Sequence, residues 1–394
     1  MQRKKPKNVT LEGNDIIPFI DGLDLSVSLS ILTYLSSFFF NTYDTRVSLI
    51  FMTFLILLSF VSRIFDLKIK SLLKGELLSK ANLLILIILS YLLHILVFTD
   101  ISNVLSIIIF GIGRVTFGIL TSLAYRGVNF NGKTLNCNLC EIKNWFIYAL
   151  GLSFGALVYM LLNEIYSNDF LNEGGWKIFY LIIILLILIK LIIFKFVLKT
   201  KISLQFEYSE FKYFSLPSSL ITNFLIIIPL LSFSIFSSSN WLPKFSNPEN
   251  LHFLSYDFLY LFLSIMTLVF VTPLANLVGK RRSVIFFNVS IILVATVCSF
   301  INHDSTYSID FLKLFISLAA SFSICSFVFQ FQIKNRTSFH TITQFNISLF
   351  FLAFLLPVTF YCSIYYTINY STIYIFFALV YFINITNFSL NKNG

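Results

Sequence analysis

The sequence predicts an all-α multi-pass membrane protein with twelve transmembrane helices in two six-helix bundles. Three observations support this fold class: the composition of the chain, its division into long apolar segments, and the distribution of its basic residues. Of the 394 residues, 57% are hydrophobic and only 12% are charged. Soluble domains carry about 25% charged residues because their surfaces face water, so this composition excludes a soluble protein of this size.

Twelve apolar segments are long enough to cross a bilayer. A helix rises about 1.5 Å per residue and the hydrocarbon core is about 30 Å thick, so each span needs about 20 mostly apolar residues. Only Thr99 and Asp100 mark the boundary between the third and fourth segments. The predicted spans are 16–40, 47–65, 81–99, 101–125, 144–165, 176–198, 217–239, 254–278, 283–301, 310–332, 343–366 and 371–388.

The longest predicted inner loop divides these spans six and six and carries most of the mid-chain charge. The N-terminus is a basic, polar arm followed by an apolar run long enough to span, so we expect no cleaved signal peptide. The predicted organisation is a cytoplasmic arm (1–15), an N-terminal bundle (16–198), a central cytoplasmic loop (199–216), a C-terminal bundle (217–388) and a cytoplasmic tail (389–394).

The basic residues set the predicted orientation. With the N-terminus inside, only four of the 28 Lys and Arg residues fall in outer loops, namely Arg46, Lys177, Lys244 and Lys313. Positively charged loops stay on the cytoplasmic side, so both termini are expected there. The same asymmetry accounts for the net charge of +10 without a nucleic-acid partner.

Asp21 and Asp24 introduce two carboxylates into the first predicted span. They are three residues apart and therefore share one face of a helix. Asp24 lies about 12 Å beyond the start of this span, and Arg114 lies about 18 Å from the inner end of the fourth span, so their depths overlap. A charge inside the membrane needs a partner or a watery cavity. Arg114 is then either a functional cavity residue or half of a structural ion pair, and both aspartates could instead hydrate at the interface.

Arg63 and His94 also lie in predicted spans of the N-terminal half. Arg63 closes the second span near the inner interface, where we expect it to snorkel and pair with Asp66. His94 lies inside the third span, where a hydrogen-bonded packing role is favoured over a proton relay. Cys137 and Cys140 form a CxxC pair in a predicted inner loop, and without further ligands they indicate a plain loop rather than a zinc site.

The C-terminal half has no ionisable residue in the cores of its predicted spans. Several of its polar residues there are amides, which can bind a polar ligand or hold helices together. The sequence does not separate these two uses for Asn223, Gln330, Gln344 and Asn346.

Several stretches together resemble the metabolite:proton symporter branch of the major facilitator superfamily, which includes proline/betaine and 2-oxoglutarate transporters. They are "DGLDL" (21–25) with its two spaced acids, "GRVTFG" (113–118), "GGWK" (174–177) and "TQFNISLF" (343–350). The resemblance implies two helical bundles with a substrate site between them. It further implies proton coupling at Asp21 and Asp24 and substrate binding at Arg114, to which we add the amides of Asn223 and Asn346.

The gating loops of this family are only partly retained. The loop between the second and third spans keeps Gly75, Glu76 and Lys80, and the matching loop of the second half lacks the family's aspartate. The residues of that second loop that match the pattern are Gly279, Lys280, Arg281 and Arg282.

The function expected from these features is secondary active transport of a small polar metabolite, such as proline, betaine or an organic acid, by alternating access. A proton gradient would drive it without a cofactor, in a monomer surrounded by the lipids of a bacterial inner membrane. The incomplete gating loops leave a divergent transporter-like protein without transport activity as the alternative. A membrane enzyme is not expected, because the loops lack the His, Asp or Glu clusters that such enzymes present.

Overall fold

All regular elements in the described part of the chain are helices. The computed structural model describes residues 16–65, 80–97, 103–130, 137–193, 277–300 and 370–390, and the isolated helical positions 314, 315, 318, 319, 322, 326 and 330. The helices are apolar around most of their circumference, as expected for helices that lie among other helices and lipid.

The N-terminal part contains seven described helices. A 3₁₀ turn, Arg63–Phe65, extends the third of them, and the short turns Asn168–Phe170 and Leu171–Gly175 precede the seventh. The helices are α1 (Ile16–Ser30), α2 (Leu32–Phe39), α3 (Thr45–Ser62), α4 (Lys80–Ile95), α5 (Asn103–Phe130), α6 (Cys137–Ile165) and α7 (Lys177–Ile193).

Two long helices are described in the C-terminal part, α8 (Lys280–Ser299) and α9 (Tyr370–Leu390), and they pack against each other. They match the predicted spans 283–301 and 371–388. The predicted spans 217–239 and 343–366 lie outside the described residues, as does 254–278 apart from its last two positions. The span 310–332 is described only at isolated positions, all of them helical. The total of twelve helices therefore stays a prediction, as does the central loop.

Each of the six predicted N-terminal spans contains a described helix. In the described part of the chain, four helices are long and apolar enough to cross a membrane, and two bent helix pairs would each add a span. The four are Val47–Phe65, Val104–Tyr125, Phe146–Ile165 and Lys280–Ser299. Large apolar side chains such as Ile112, Leu185, Phe286 and Val297 remain exposed on these helices, which fits contact with lipid.

The first predicted span is not one straight helix. Helices α1 and α2 meet at 62° around Ile31. The backbone hydrogen bonds continue across the bend, since Ile31 N donates to Val27 O and Leu35 N donates to Ile31 O, each at 3.0 Å. The bend lets α1 stay enclosed by helices while α2 packs on α3 and on the turn Leu171–Gly175.

Glycines bring α1 and α6 into close contact. A Cβ at Gly22 would overlap the carbonyl oxygen of Tyr148, and a Cβ at Gly151 would overlap that of Phe19. In both cases the obstacle is backbone, which cannot move aside as a side chain can. Small residues at such crossings allow the backbones of membrane helices to approach closely.

A second bend, of 67°, precedes α7. Gly174 has a φ of 114°, a left-handed conformation that favours glycine because it has no Cβ. Trp176 follows and is fully buried, and Nζ of Lys177 donates to the carbonyl oxygen of Val97 beyond the end of α4. The "GGWK" segment thus turns the chain into its sixth predicted span and ties α7 to α4.

Candidate functional site

Helix α1 carries the polar residues around which the site is built. All residues of α1 are buried except Ile16 and Phe19, and Asp21 and Asp24 keep only 1% and 3% of their surfaces exposed. The helix is enclosed because α3, α5, α6 and α7 all pack against it. Both carboxylates lie inside the helix bundle, so the alternative that they hydrate at the membrane interface is wrong.

Asp24 forms an ion pair with Arg114 of α5. Nη1 of Arg114 lies 2.8 Å from both carboxylate oxygens of Asp24, and Nη2 donates to Oγ of Ser28 at 2.6 Å. The side chain of Arg114 is fully buried, and its guanidinium lies 5.7 Å from the centre of the Phe110 ring. The structure thus places Arg114 against a first-span carboxylate, as its depth in the sequence predicts.

Asp21 forms a second buried pair, with Arg63. Both Nη atoms of Arg63 donate to the Asp21 carboxylate, one of them at 3.0 Å, and the hydroxyl of Tyr125 donates to the same carboxylate at 3.1 Å. Arg63 has no exposed surface. The expectation that Arg63 snorkels to the interface is therefore wrong, and Asp21 takes the place expected for Asp66, which lies outside the described residues.

The two aspartates differ in how they are held. Asp21 accepts from three donor groups on two residues, Arg63 and Tyr125. Asp24 accepts only from one nitrogen of Arg114 among the described hydrogen bonds, and the Tyr91 hydroxyl lies beside it without a bond of good geometry. Asp24 is thus the less constrained carboxylate of the two.

Aromatic rings close the site next to Arg114. His94 of α4 stacks on Tyr180 of α7 with 5.0 Å between ring centres, and its ring meets that of Phe110 edge-on at 4.6 Å. The hydroxyl of Tyr180 lies 3.2 Å from Oγ of Ser28, which also accepts from Arg114. Sequence reasoning missed Ser28 and Tyr180. We call Asp24, Ser28, His94, Arg114 and Tyr180 the Arg114 cluster.

A second polar network lies in the C-terminal part and contains no charge. Nδ2 of Asn384 donates to Oδ1 of Asn288 at 2.8 Å, and Nδ2 of Asn288 donates to Oγ of Ser326 at 3.0 Å. Nε2 of Gln330 donates to Oδ1 of Asn384 at 3.2 Å. Gln330 is a predicted polar residue, whereas Asn288 and Asn384 were missed although both lie within apolar helices. We call these four residues the amide network.

The other predicted site residues are not brought together in the described structure. Asn223, Asn346, Gly75 and Glu76 lie outside the described residues. Lys80 begins α4, Gly279 precedes α8 with a φ of 99°, Lys280 begins α8, and Arg281 and Arg282 follow on its exposed side.

The CxxC pair begins a helix instead of lying in a loop, because α6 starts at Cys137. Among the described residues, no three His, Cys, Asp or Glu side chains are grouped in a way that could hold a metal ion.

Comparisons with known proteins identify the fold. No family model matches the sequence, and no curated protein does either. Solved structures match over nearly the whole chain, including three transporters. A D-xylose-proton symporter shares 11% identity at a TM-score of 0.63 over 93% of this chain and 96% of that chain.

The other two matches agree with the first. A POT family transporter in complex with a thioalcohol-conjugated peptide gives 11% identity and a TM-score of 0.61 over 97% of both chains. The xylose transporter XylE from E. coli, in a partially occluded inward-open conformation, gives 11% identity and a TM-score of 0.57 over 94% of this chain and 96% of that chain. These similarities support the major facilitator fold expected from the sequence, and they do not extend to the proline/betaine branch.

Proposed function

We propose that this protein is a secondary active transporter that moves a small carboxylate-bearing metabolite across the membrane by alternating access, coupled to protons. Proline, betaine and organic acids such as 2-oxoglutarate are the candidate substrates. The observation that carries the proposal is the buried Asp24–Arg114 pair, in a fold shared with a D-xylose-proton symporter. A proton gradient is the proposed driving force, so the proposal includes no cofactor.

The coupling follows from the charge balance of the Arg114 cluster. With Asp24 ionised, the pair is neutral and each charge satisfies the other. When a proton neutralises Asp24, Arg114 becomes a buried cation without a counter-ion, a state that costs about 3–5 kcal/mol. A substrate carboxylate can then take the place of Asp24 by accepting charge-assisted hydrogen bonds from the guanidinium. In both the empty and the loaded site, Arg114 keeps one carboxylate as its counter-ion, which favours movement through a low-dielectric interior.

The hydrogen bonds favour Asp24 over Asp21 as the residue that exchanges the proton. Asp21 is held by three donor groups that would all lose strength if it were protonated. We therefore propose that Asp21 and Arg63 hold α1 against the end of α3, and that Asp24 exchanges the proton. Asp21 and Asp24 thus have different roles in this proposal, although the family resemblance implies proton coupling for both.

The remaining parts of the proposal concern the setting of the protein. We propose that it acts as a monomer in a bacterial inner membrane with both termini in the cytoplasm. The amides of Asn223 and Asn346 and the gating positions Gly75, Glu76 and Lys80 keep their predicted roles in this proposal. The basic run 280–282 at the start of α8 keeps its gating role as well.

Uptake into cells that overexpress the protein tests the proposal. Radiolabelled proline, betaine and 2-oxoglutarate are supplied with and without a protonophore. Replacing both members of the pair, Asp24→Asn with Arg114→Gln, removes the coupling without leaving a lone buried charge. We expect uptake of one substrate that the protonophore abolishes and that this double variant lacks, at an unchanged amount of protein in the membrane.

The matched control is the double variant Asp21→Asn with Arg63→Gln, which neutralises the other pair. We expect it to retain protonophore-sensitive uptake in proportion to the protein that reaches the membrane. Full uptake by the variant of the Asp24–Arg114 pair would refute the assigned role. Absence of uptake by the wild-type protein with all three substrates would favour the transporter-like protein without transport activity.

A further inference from the structure

His94 presents a buried acceptor that no described residue satisfies. Its Nδ1 lies 2.8 Å from the carbonyl oxygen of Ser90. A carbonyl oxygen only accepts, so Nδ1 carries the proton and Nε2 of the neutral ring is an acceptor. In the described structure Nε2 is buried and has no hydrogen-bond partner. A buried acceptor without a hydrogen bond costs about 1–3 kcal/mol, so binding of a hydrogen-bond donor at this nitrogen is favourable.

The imidazole ring cannot turn away to meet another group. It stacks on Tyr180 at 5.0 Å and meets Phe110 edge-on at 4.6 Å. On another side it lies against Gly113, where an added Cβ would come within 3.0 Å of its Cε1. The position of Nε2 is therefore fixed by packing from α5 and α7, while Ser90 on its own helix fixes the tautomer.

The hydroxyls beside His94 leave one donor unmet. Arg114 can only donate, so Oγ of Ser28 accepts from it. Ser28 and Tyr180 share one further hydrogen bond, at 3.2 Å, in which either hydroxyl can be the donor. Each of these two hydroxyls carries one proton, and the bond between them uses only one of the two. The other proton has no hydrogen-bond acceptor among the described residues.

The unmet groups surround the cation of the Arg114 cluster. The guanidinium carbon of Arg114 lies 5.7 Å from the centre of the Phe110 ring, and the imidazole of His94 meets the same ring edge-on. Nε of Arg114 also lacks a partner among the described residues, but so does Nε of Arg63, so this feature does not distinguish the two pairs. The buried acceptor on His94 does distinguish them.

We propose that His94 Nε2 accepts a hydrogen bond from an N–H or O–H group of the transported molecule while Arg114 holds its carboxylate. The site then selects carboxylic acids that carry an amine N–H or a hydroxyl next to the carboxylate. It discriminates against N-permethylated and keto analogues, which have no donor to offer. This inference rests on the proposed function and deepens it by naming the substrate class.

Matched ligand pairs test the inference on the purified full-length protein. Proline and N,N-dimethylproline share ring and charge and differ in the N–H donors, and 2-hydroxyglutarate and 2-oxoglutarate differ in the hydroxyl. Affinity is measured from ligand-induced thermal stabilisation. In at least one pair we expect the donor-bearing member to bind the wild-type protein about tenfold more tightly, the size expected for one buried hydrogen bond.

Two variants connect the preference to the imidazole. His94→Phe keeps a ring that can stack on Tyr180 but has no acceptor, so the two members of the pair should bind it with about equal affinity. His94→Gln supplies an amide oxygen and serves as the matched control that retains an acceptor. The comparison of the two ligands on the wild-type protein does not depend on either variant folding.

The outcomes separate the inference from the function on which it rests. Equal affinity within both pairs for the wild-type protein refutes the role of His94, and points to ordered water as the donor at Nε2. A preference that survives in His94→Phe also refutes it, because the selection then comes from shape. Either result leaves a carboxylate transporter in place. Binding of none of the four acids refutes the carboxylate site itself, and the inference with it.

Discussion

The Arg114 cluster and the amide network are both buried polar groups among apolar helices, but only the first is charged. In the amide network, the donors of Asn288, Gln330 and Asn384 meet amide and hydroxyl oxygens of the same network. Amides keep their protonation state at all physiological pH values, so this network has one chemical state. The Arg114 cluster changes state with a single proton. If the proposed function is correct, a C-terminal scaffold and an N-terminal switch are built from the same kind of helix.

The two regions also differ in the residues that lie at their helix crossings. The N-terminal crossings use Gly22, Gly118 and Gly151 against backbone carbonyl groups. Helices α8 and α9 contain no glycine and no Asp, Glu, Lys, Arg or His after Arg282. Close backbone contact shields the ion pairs from lipid and water, whereas the amides form hydrogen bonds between helices that contain no glycine.

The largest effect expected is the loss of one charge from the Arg114 cluster. Asp24→Asn leaves the guanidinium of Arg114 buried without its counter-ion, which should cost about 3–5 kcal/mol of stability. Adding Arg114→Gln should recover most of the lost stability, because no unpaired charge then remains buried at this site. Thermal unfolding of the purified proteins in one detergent measures both steps. A single variant as stable as the wild type would contradict the charge balance argued above.

A smaller effect is expected from overfilling an N-terminal helix crossing. A Cβ at Gly118 would overlap the carbonyl oxygen of Ser59, so Gly118→Ala should force α5 away from α3 and cost about 1–3 kcal/mol. Gly111 on the same helix is the matched control, because an added Cβ there would meet only side-chain carbons, of Leu55 at 3.4 Å and of Leu58 at 3.7 Å. We expect the midpoint of thermal unfolding to fall clearly for the first variant and little for the second; equal shifts would count against the close crossing.

The smallest effect is expected in the amide network. Asn288→Leu removes bonds to Asn384 and Ser326 but leaves no charge uncompensated. Hydrogen bonds between membrane helices contribute about 0.6 kcal/mol each on average, so the loss should stay near 1 kcal/mol and uptake should persist. Thermal unfolding and the uptake assay measure the two expectations. A loss of uptake at normal protein level would instead place this network in the transport pathway.

The sequence predicts the part of the site that depends on depth in the membrane. Asp24 and Arg114 lie at overlapping depths, and the structure pairs them. The same reasoning failed for Arg63, because its position near the end of a span suggested the interface. A 3₁₀ turn instead directs this end of α3 inward to Asp21. Depth along one helix does not reveal which way a helix end turns.

The parts that sequence reasoning missed depend on contacts between distant segments. Ser28 and Tyr180 are 152 residues apart in the chain, and Asn288 and Asn384 are 96 apart. Serine and tyrosine are ordinary in apolar helices, so the first pair carries no signal. An amide within an apolar span is less ordinary, and that signal could have found Asn288 and Asn384. The bend at Ile31 has no proline or glycine next to it that could have marked it.

The spacing of the two ion pairs along the chain has a consequence for biosynthesis. Asp21 leaves the ribosome 42 residues before Arg63, and Asp24 leaves it 90 residues before Arg114. On insertion scales an aspartate at the centre of a helix costs about 2.5–3.5 kcal/mol, so α1 alone is a poor guest for lipid. Its insertion becomes favourable only when α3 and α5 arrive with their arginines. We therefore expect the first helix to remain at the insertion machinery until these arginines arrive, and the N-terminal bundle to enter the bilayer as an assembled unit instead of helix by helix.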